Sequence, residues 1–177
     1  QARGALAAIQ PAFVLPSSIA AQFQAARHLK ELPWQPADFS LTHWYWYIIA
    51  ANIHPLKLPS LTERLLFSRQ IALALLGTSR LVHQDDDLAE PDLRPSQIAD
   101  RLKPYTDMAL LTAWLLTDNP LISDRIRRYA TEWRGIQPVT NGHTLRAMGV
   151  PPGPCYSLVL KRLRDARLDG ETPTDAD

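Results

Sequence analysis

Bulky apolar residues in this chain recur at helical spacing and nowhere alternate. Ile122, Ile126, Tyr129 and Trp133 fall at i, i+4, i+7 and i+11, the stripe of a helix that packs one face on a core. No segment shows the every-other-residue pattern of a half-buried strand, so the expected fold class is all-α. Prolines limit the helix lengths. Fifteen in 177 residues is ~8%, against an average near 5%, and a proline beyond the first turn breaks or kinks a helix. The expectation is a multi-helix bundle of about seven or eight helices with a small C-terminal helical-hairpin tail.

The helices expected are Pro16 to Lys30, Pro36 to Asn52, one from Ser60 to about Gly77, Pro95 to Pro104, Thr106 to Leu116, Ile122 to Trp133, His143 to Met148, and a last one ending near Leu168. Pro55 and Pro59 close the second. Ser60-Leu61-Thr62-Glu63 has the form of a capping box, in which hydroxyl and carboxylate satisfy free N–H groups at a helix start. Asp85, Asp86 and Asp87 read as a solvated loop, and Gly149 and Gly170 as helix stops. The rings of Trp44, Tyr45, Trp46 and Tyr47 lie in an apolar helix and read as core rather than as a base-stacking platform.

Composition removes several classes. With 46% apolar and 21% charged residues the chain matches ordinary globular proteins and not disordered ones. Its length fits one domain, or one with a small appendage, since domains commonly run to about 100–150 residues. The lone cysteine, Cys155, excludes an internal disulfide framework or a Cys-based zinc site, and a reducing, cytoplasmic location is expected. His28, His43, His54, His83 and His143 show neither ligand spacing nor a His–Asp pair, so neither a metallohydrolase nor a catalytic triad is expected. The apolar run Trp44 to Ala51 falls far short of the ~20 residues a spanning helix needs, and no membrane partner is expected.

The net charge of +1 conceals an asymmetry. Asn119 to Gly170 holds nine basic against four acidic residues, and the last seven residues hold three acidic and no basic ones. This divides the chain into a helical body (1–118), a basic helical tail (119–170) and an acidic end (171–177) expected to fray. In the tail, a Gly/Pro-rich turn precedes the final helix, whose first N–H groups, at Gly153, Cys155, Tyr156 and Ser157, can face an anion. A tight hairpin whose glycines serve only the turn fits the same pattern. Arg128 has Asp124 and Glu132 one turn away, and Lys161 and Arg162 can both reach Asp165. Arg125, Arg127, Arg146, Arg164 and Arg167 have fewer local partners and are candidate phosphate contacts. Together with Gly149, Gly153 and Lys161 they make up the candidate polyanion-binding set, with a solvated charged face as the alternative for each cation. No catalytic residue, metal ligand or cofactor is assigned within the chain.

The segment Thr140 to Glu171 has a G-x-x-L-x-x-x-G-x-x-P-G-P core from Gly142 to Pro154 and closes on Ala166-Arg167-Leu168-Asp169-Gly170-Glu171. It resembles the C-terminal tail of bacterial class II tRNA nucleotidyltransferases, the CCA-adding or A-adding enzymes of the poly(A) polymerase-like family. Thr144 stands where an acidic residue is common. A weaker likeness continues back through Arg94 to Trp133. The resemblance implies a head that transfers nucleotides with Mg2+ and ATP or CTP, a neck that reads them, and a body and tail that hold the acceptor and T arms of tRNA.

Gly77-Thr78 followed by Asp85, Asp86 and Asp87 only imitates the order of the head's metal-binding site, because a helix precedes it where a strand is required. Glu90-Pro91-Asp92-Leu93-Arg94 resembles the neck's Glu-Asp-x-x-Arg in letters, but Pro91 prevents a continuous helix. The resemblance therefore implies a tRNA-binding C-terminal region, inactive alone, whose head and neck lie elsewhere in the polypeptide. A chain that opens at Gln1 rather than Met is what such a piece is expected to look like. Whether A, CC or CCA is added stays open. Two alternatives remain: a freestanding helical-hairpin nucleic-acid-binding module that takes duplex DNA as readily as tRNA, and a helical scaffold for a protein partner, whose binding would be insensitive to salt.

Overall fold

Among the residues described by the structure, a computed structural model covering 15–37, 39–83, 86–151 and 153–171, every regular element is a helix. In chain order these are α1 (Ile19–His28), α2 (Leu41–Ala51), α3 (Leu58–Arg64), α4 (Arg69–His83), α5 (Asp86–Ala89), α6 (Pro95–Leu102), α7 (Asp107–Leu116) and α8 (Pro120–Arg128). A π-helical turn, Tyr129–Trp133, continues α8 directly, and α9 (Gly142–Ala147) and α10 (Cys155–Leu168) form the C-terminal hairpin.

Local chemistry sets many of the ends. Pro95 and Pro120 each occupy the first position of their helix, where no N–H is needed. Thr106, Asn119 and Asn141 accept hydrogen bonds from free N–H groups at the starts of α7, α8 and α9, the last through Oδ1 to His143 and Thr144 at 2.9 and 3.1 Å. Gly149 and Gly170 have φ of 83° and 71°. Their left-handed turns let the N–H groups of Val150 and Glu171 reach back to the carbonyls of Leu145 and Ala166, at 3.1 and 2.8 Å.

Three expectations are corrected. Ser60 does not open a helix: α3 begins two residues earlier, with Pro59 in its first turn, and the Thr62 hydroxyl donates to the Pro59 carbonyl at 3.0 Å. Proline's fixed φ and missing N–H suit it to that place better than to closing the preceding helix. α3 then ends where Leu66 takes the same left-handed role (φ 54°), and α4 restarts at Arg69 and passes through Gly77 to His83. Asp86 and Asp87 open α5 instead of lying in a loop; Asp85 lies outside the described residues. The split of the third expected helix and the addition of α5 account for ten α-helices among the described residues where eight were expected.

Two apolar cores share one wall. Ile19, Trp44, Ile48, Leu58, Leu61 and Leu75 gather with Met108 and Leu111 of α7. Leu88, Ile98, Leu102, Ile122, Ile126, Tyr129, Trp133 and Leu168 gather with Leu110 and Ala113 of the same helix. α7 is apolar on all sides because it is buried on all sides. Its one polar residue there, Thr112, is fully paired: its hydroxyl donates to the Met108 carbonyl (2.7 Å) and accepts from the Trp44 indole Nε1 (3.1 Å). Thr112→Val leaves that indole N–H buried and unpaired, and we expect a loss of about 1–3 kcal/mol in urea unfolding. The second core runs across residues 118–119, so α8 and the π turn pack as part of the body.

Candidate nucleic-acid interface

The four stripe residues Ile122, Ile126, Tyr129 and Trp133 are all buried, as the spacing predicts. Arg125, on the flank of that stripe, is buried with them, at 6% exposure. Its guanidinium donates to the carbonyls of Leu88 (2.5 Å), Glu90 (2.7 Å) and Pro91 (3.1 Å). Reading Arg125 as a phosphate contact is therefore corrected: it clamps the last turn of α5, through Leu88, and the irregular segment that follows, through Glu90 and Pro91, carbonyls that have no further helix to bond to. The sequence carried a signal for this, because position 125 falls three residues after Ile122 and one before Ile126, inside the arc that faces the core.

Most of the remaining tail cations meet a carboxylate. Arg127 pairs with Asp124 (2.6 Å), Arg128 with Glu132 (3.4 Å), and Arg134 with Asp107 of α7. Lys161 bonds Asp100 of α6 (2.6 Å) and Asp165 (2.7 Å), and Arg162 bonds Glu171 (2.7 Å). Hydrogen bonds to Asp100 and then Asp165 hold the Lys161 ammonium above its ordinary pKa. Most of these side chains are exposed, Asp107 and Asp165 being half-buried, and exposed pairs contribute little stability, but each pair cancels local charge. Arg127 and Lys161 are thus poorer phosphate contacts than their positions in sequence imply.

Three cations of the hairpin have no carboxylate partner among the described residues. Arg146 is exposed on α9. Arg164 and Arg167, one turn apart on α10, donate to the adjacent carbonyls of Ile136 and Gln137, through Nε and Nη1, each at 3.1 Å. A carbonyl orients a guanidinium without neutralising it, so these side chains are both fixed and charged. Burial raises the Tyr129 hydroxyl above its usual pKa, and the nearby charges of Arg134 and Arg164 draw it partly back.

The glycines serve the hairpin itself. Gly149 supplies the left-handed turn that ends α9. Gly153 accepts the Tyr156 N–H through its carbonyl (3.0 Å), which removes Tyr156 from the donors expected to face an anion. The Tyr156 hydroxyl donates to the Val150 carbonyl at 2.7 Å and ties the two arms together.

The closing Leu168-Asp169-Gly170-Glu171 also has a structural use that reasoning from sequence missed. Arg94 precedes α6 at the position where a side chain usually accepts a free N–H, but arginine has no acceptor. Asp169 supplies one from the far end of α10, taking the Ser96 N–H at 2.9 Å and the Ser96 hydroxyl at 2.8 Å. Glu171, expected to fray, bonds Arg94 and Arg162; residues 172–177 lie outside the described residues.

No helix among the described residues is long and apolar enough to cross a membrane, and no group of three or more His, Cys, Asp or Glu side chains among them could hold a metal ion. No family model matches the chain, and no solved structure matches it. The chain is 34% identical over 86 residues to the A-adding tRNA nucleotidyltransferase of Geobacter sulfurreducens. The match takes in 49% of this chain and 10% of that protein, so the chain covers about a tenth of the length of the relative it matches. Along about half of its length, then, this chain is similar to an A-adding tRNA nucleotidyltransferase.

Proposed function

We propose that the chain is the C-terminal tRNA-binding region of a tRNA nucleotidyltransferase of the poly(A) polymerase-like family. Its hairpin would grip the acceptor and T arms through phosphates while a separate head adds A, CC or CCA. The observation that carries this reading is the similarity to an A-adding enzyme. The geometry supports it: Arg146, Arg164 and Arg167 present charge that no described carboxylate cancels, as contact with a polyanion requires. Transfer chemistry, with Mg2+ and ATP or CTP, belongs in this reading to the head and neck, and the chain holds the tRNA at a fixed distance from it.

The test is binding of tRNA to the 177-residue chain across a range of salt. Affinity should fall steeply with added salt, because each neutralised phosphate releases counterions. Arg146→Ala should flatten the slope of log K against log salt by roughly 0.7–0.9, equally for different tRNA species. Equal affinity for duplex DNA of similar charge would favour a general nucleic-acid module. Binding of no nucleic acid at all would end the proposal.

A further inference from the structure

We infer that Arg164 and Arg167 form one anion-binding corner, beside the Arg134–Asp107 pair and framed by the loop 134–137, which takes a backbone phosphate of RNA. This rests on the tRNA-binding reading and deepens it, by locating the phosphate at one corner of the tail. On α10, residues 164 and 167 share a helix face, and their guanidiniums reach consecutive carbonyls of the same loop, Ile136 and Gln137. Arg134 begins that loop, and Arg134 and Arg164 both lie near the Tyr129 phenol.

Two like charges are thus drawn to one loop, and no described carboxylate bonds either of them. Such an arrangement is short of negative charge, and a phosphate supplies it. Each carbonyl occupies one N–H of a guanidinium that carries five, so the fork that matches phosphate oxygens stays largely available. Ile136 packs on the second core, which fixes the loop and, through it, both arginines. Little side-chain freedom is then left to lose on binding. Arg127, Arg128, Lys161 and Arg162, each on a carboxylate, lack this combination.

The experiment titrates the 177-residue chain with tRNA at several salt concentrations, comparing R164A, R167A, the double variant, R164K/R167K and R128A. The double Arg→Ala variant should bind about tenfold more weakly near physiological salt, with the slope reduced by roughly 0.7–0.9 for each phosphate that is no longer neutralised. R128A, at a cation paired with Glu132 and outside the candidate set, should leave the slope unchanged. The Lys pair should restore the slope but not the full affinity, because an ammonium keeps the charge and cannot fork. That split separates lost charge from altered folding, which thermal melting of each variant also reports. If the unaltered chain binds tRNA and the double Ala variant keeps both affinity and slope, the corner is wrong while the tRNA reading stands. If the unaltered chain does not bind tRNA, the reading itself fails. Inorganic phosphate or ATP is added as a competitor: displacement of tRNA at micromolar levels would assign the corner to a small anion and overturn the RNA backbone assignment.

Discussion

Arg125→Ala should lower the unfolding free energy by about 3 kcal/mol and leave tRNA affinity unchanged under conditions where the variant is folded. The substitution removes the donors to three carbonyls, and an acceptor left unpaired in the interior costs about 1–3 kcal/mol. Those of Glu90 and Pro91 lie closer to solvent and recover part of that loss from water. Urea unfolding measures the effect as a shift in midpoint at constant slope. Arg125→Lys should recover only part of the stability, since one ammonium on a flexible stem cannot span carbonyls from Leu88, Glu90 and Pro91. A loss below about 1 kcal/mol for the Ala variant, or a fall in tRNA affinity with stability intact, would return Arg125 to the set of phosphate contacts.

Asp169→Ala should cost about 2 kcal/mol, at the upper end of what losing a helix cap costs, because one carboxylate serves both the N–H and the hydroxyl of Ser96. The effect should reach beyond α6. Asp169 follows the last turn of α10, whose Leu168 is seated in the second core, so loosening the cap loosens the docking of α10. Hydrogen exchange is the direct readout: amides at the start of α6 and the end of α10 should lose protection together, while those of α2 do not. Asp169→Asn, which keeps one acceptor, should lose about half as much. Independent behaviour of the two helices would show that the contact is incidental.

Much of the fold could be read from the sequence wherever it is set by local chemistry. The stripe from Ile122 to Trp133, the starts at Pro95 and Thr106 and the stops at Gly149 and Gly170 are each properties of one segment. What escaped was tertiary. Ser60 to Glu63 has the letters of a helix start, but Pro59 beside it has the stronger preference and moves the start upstream. Arg127 is expected from sequence to have fewer local partners although Asp124 is three residues away, and Arg134 finds its carboxylate on another helix altogether. The candidate site was legible only as a region. A count of cations does not say which meet a carboxylate, which a carbonyl and which are buried, and those three outcomes separate Arg127, Arg164 and Arg125.

The double duty of α7 bears on how the hairpin works. Because one helix walls both cores, and the second core extends through Leu168 into α10, the described residues show no seam along which the hairpin can swing free of the rest. A pull on the hairpin is passed through Leu168 and α7 to both cores, so on the proposed tRNA-binding reading the bundle is a ruler more than a hinge.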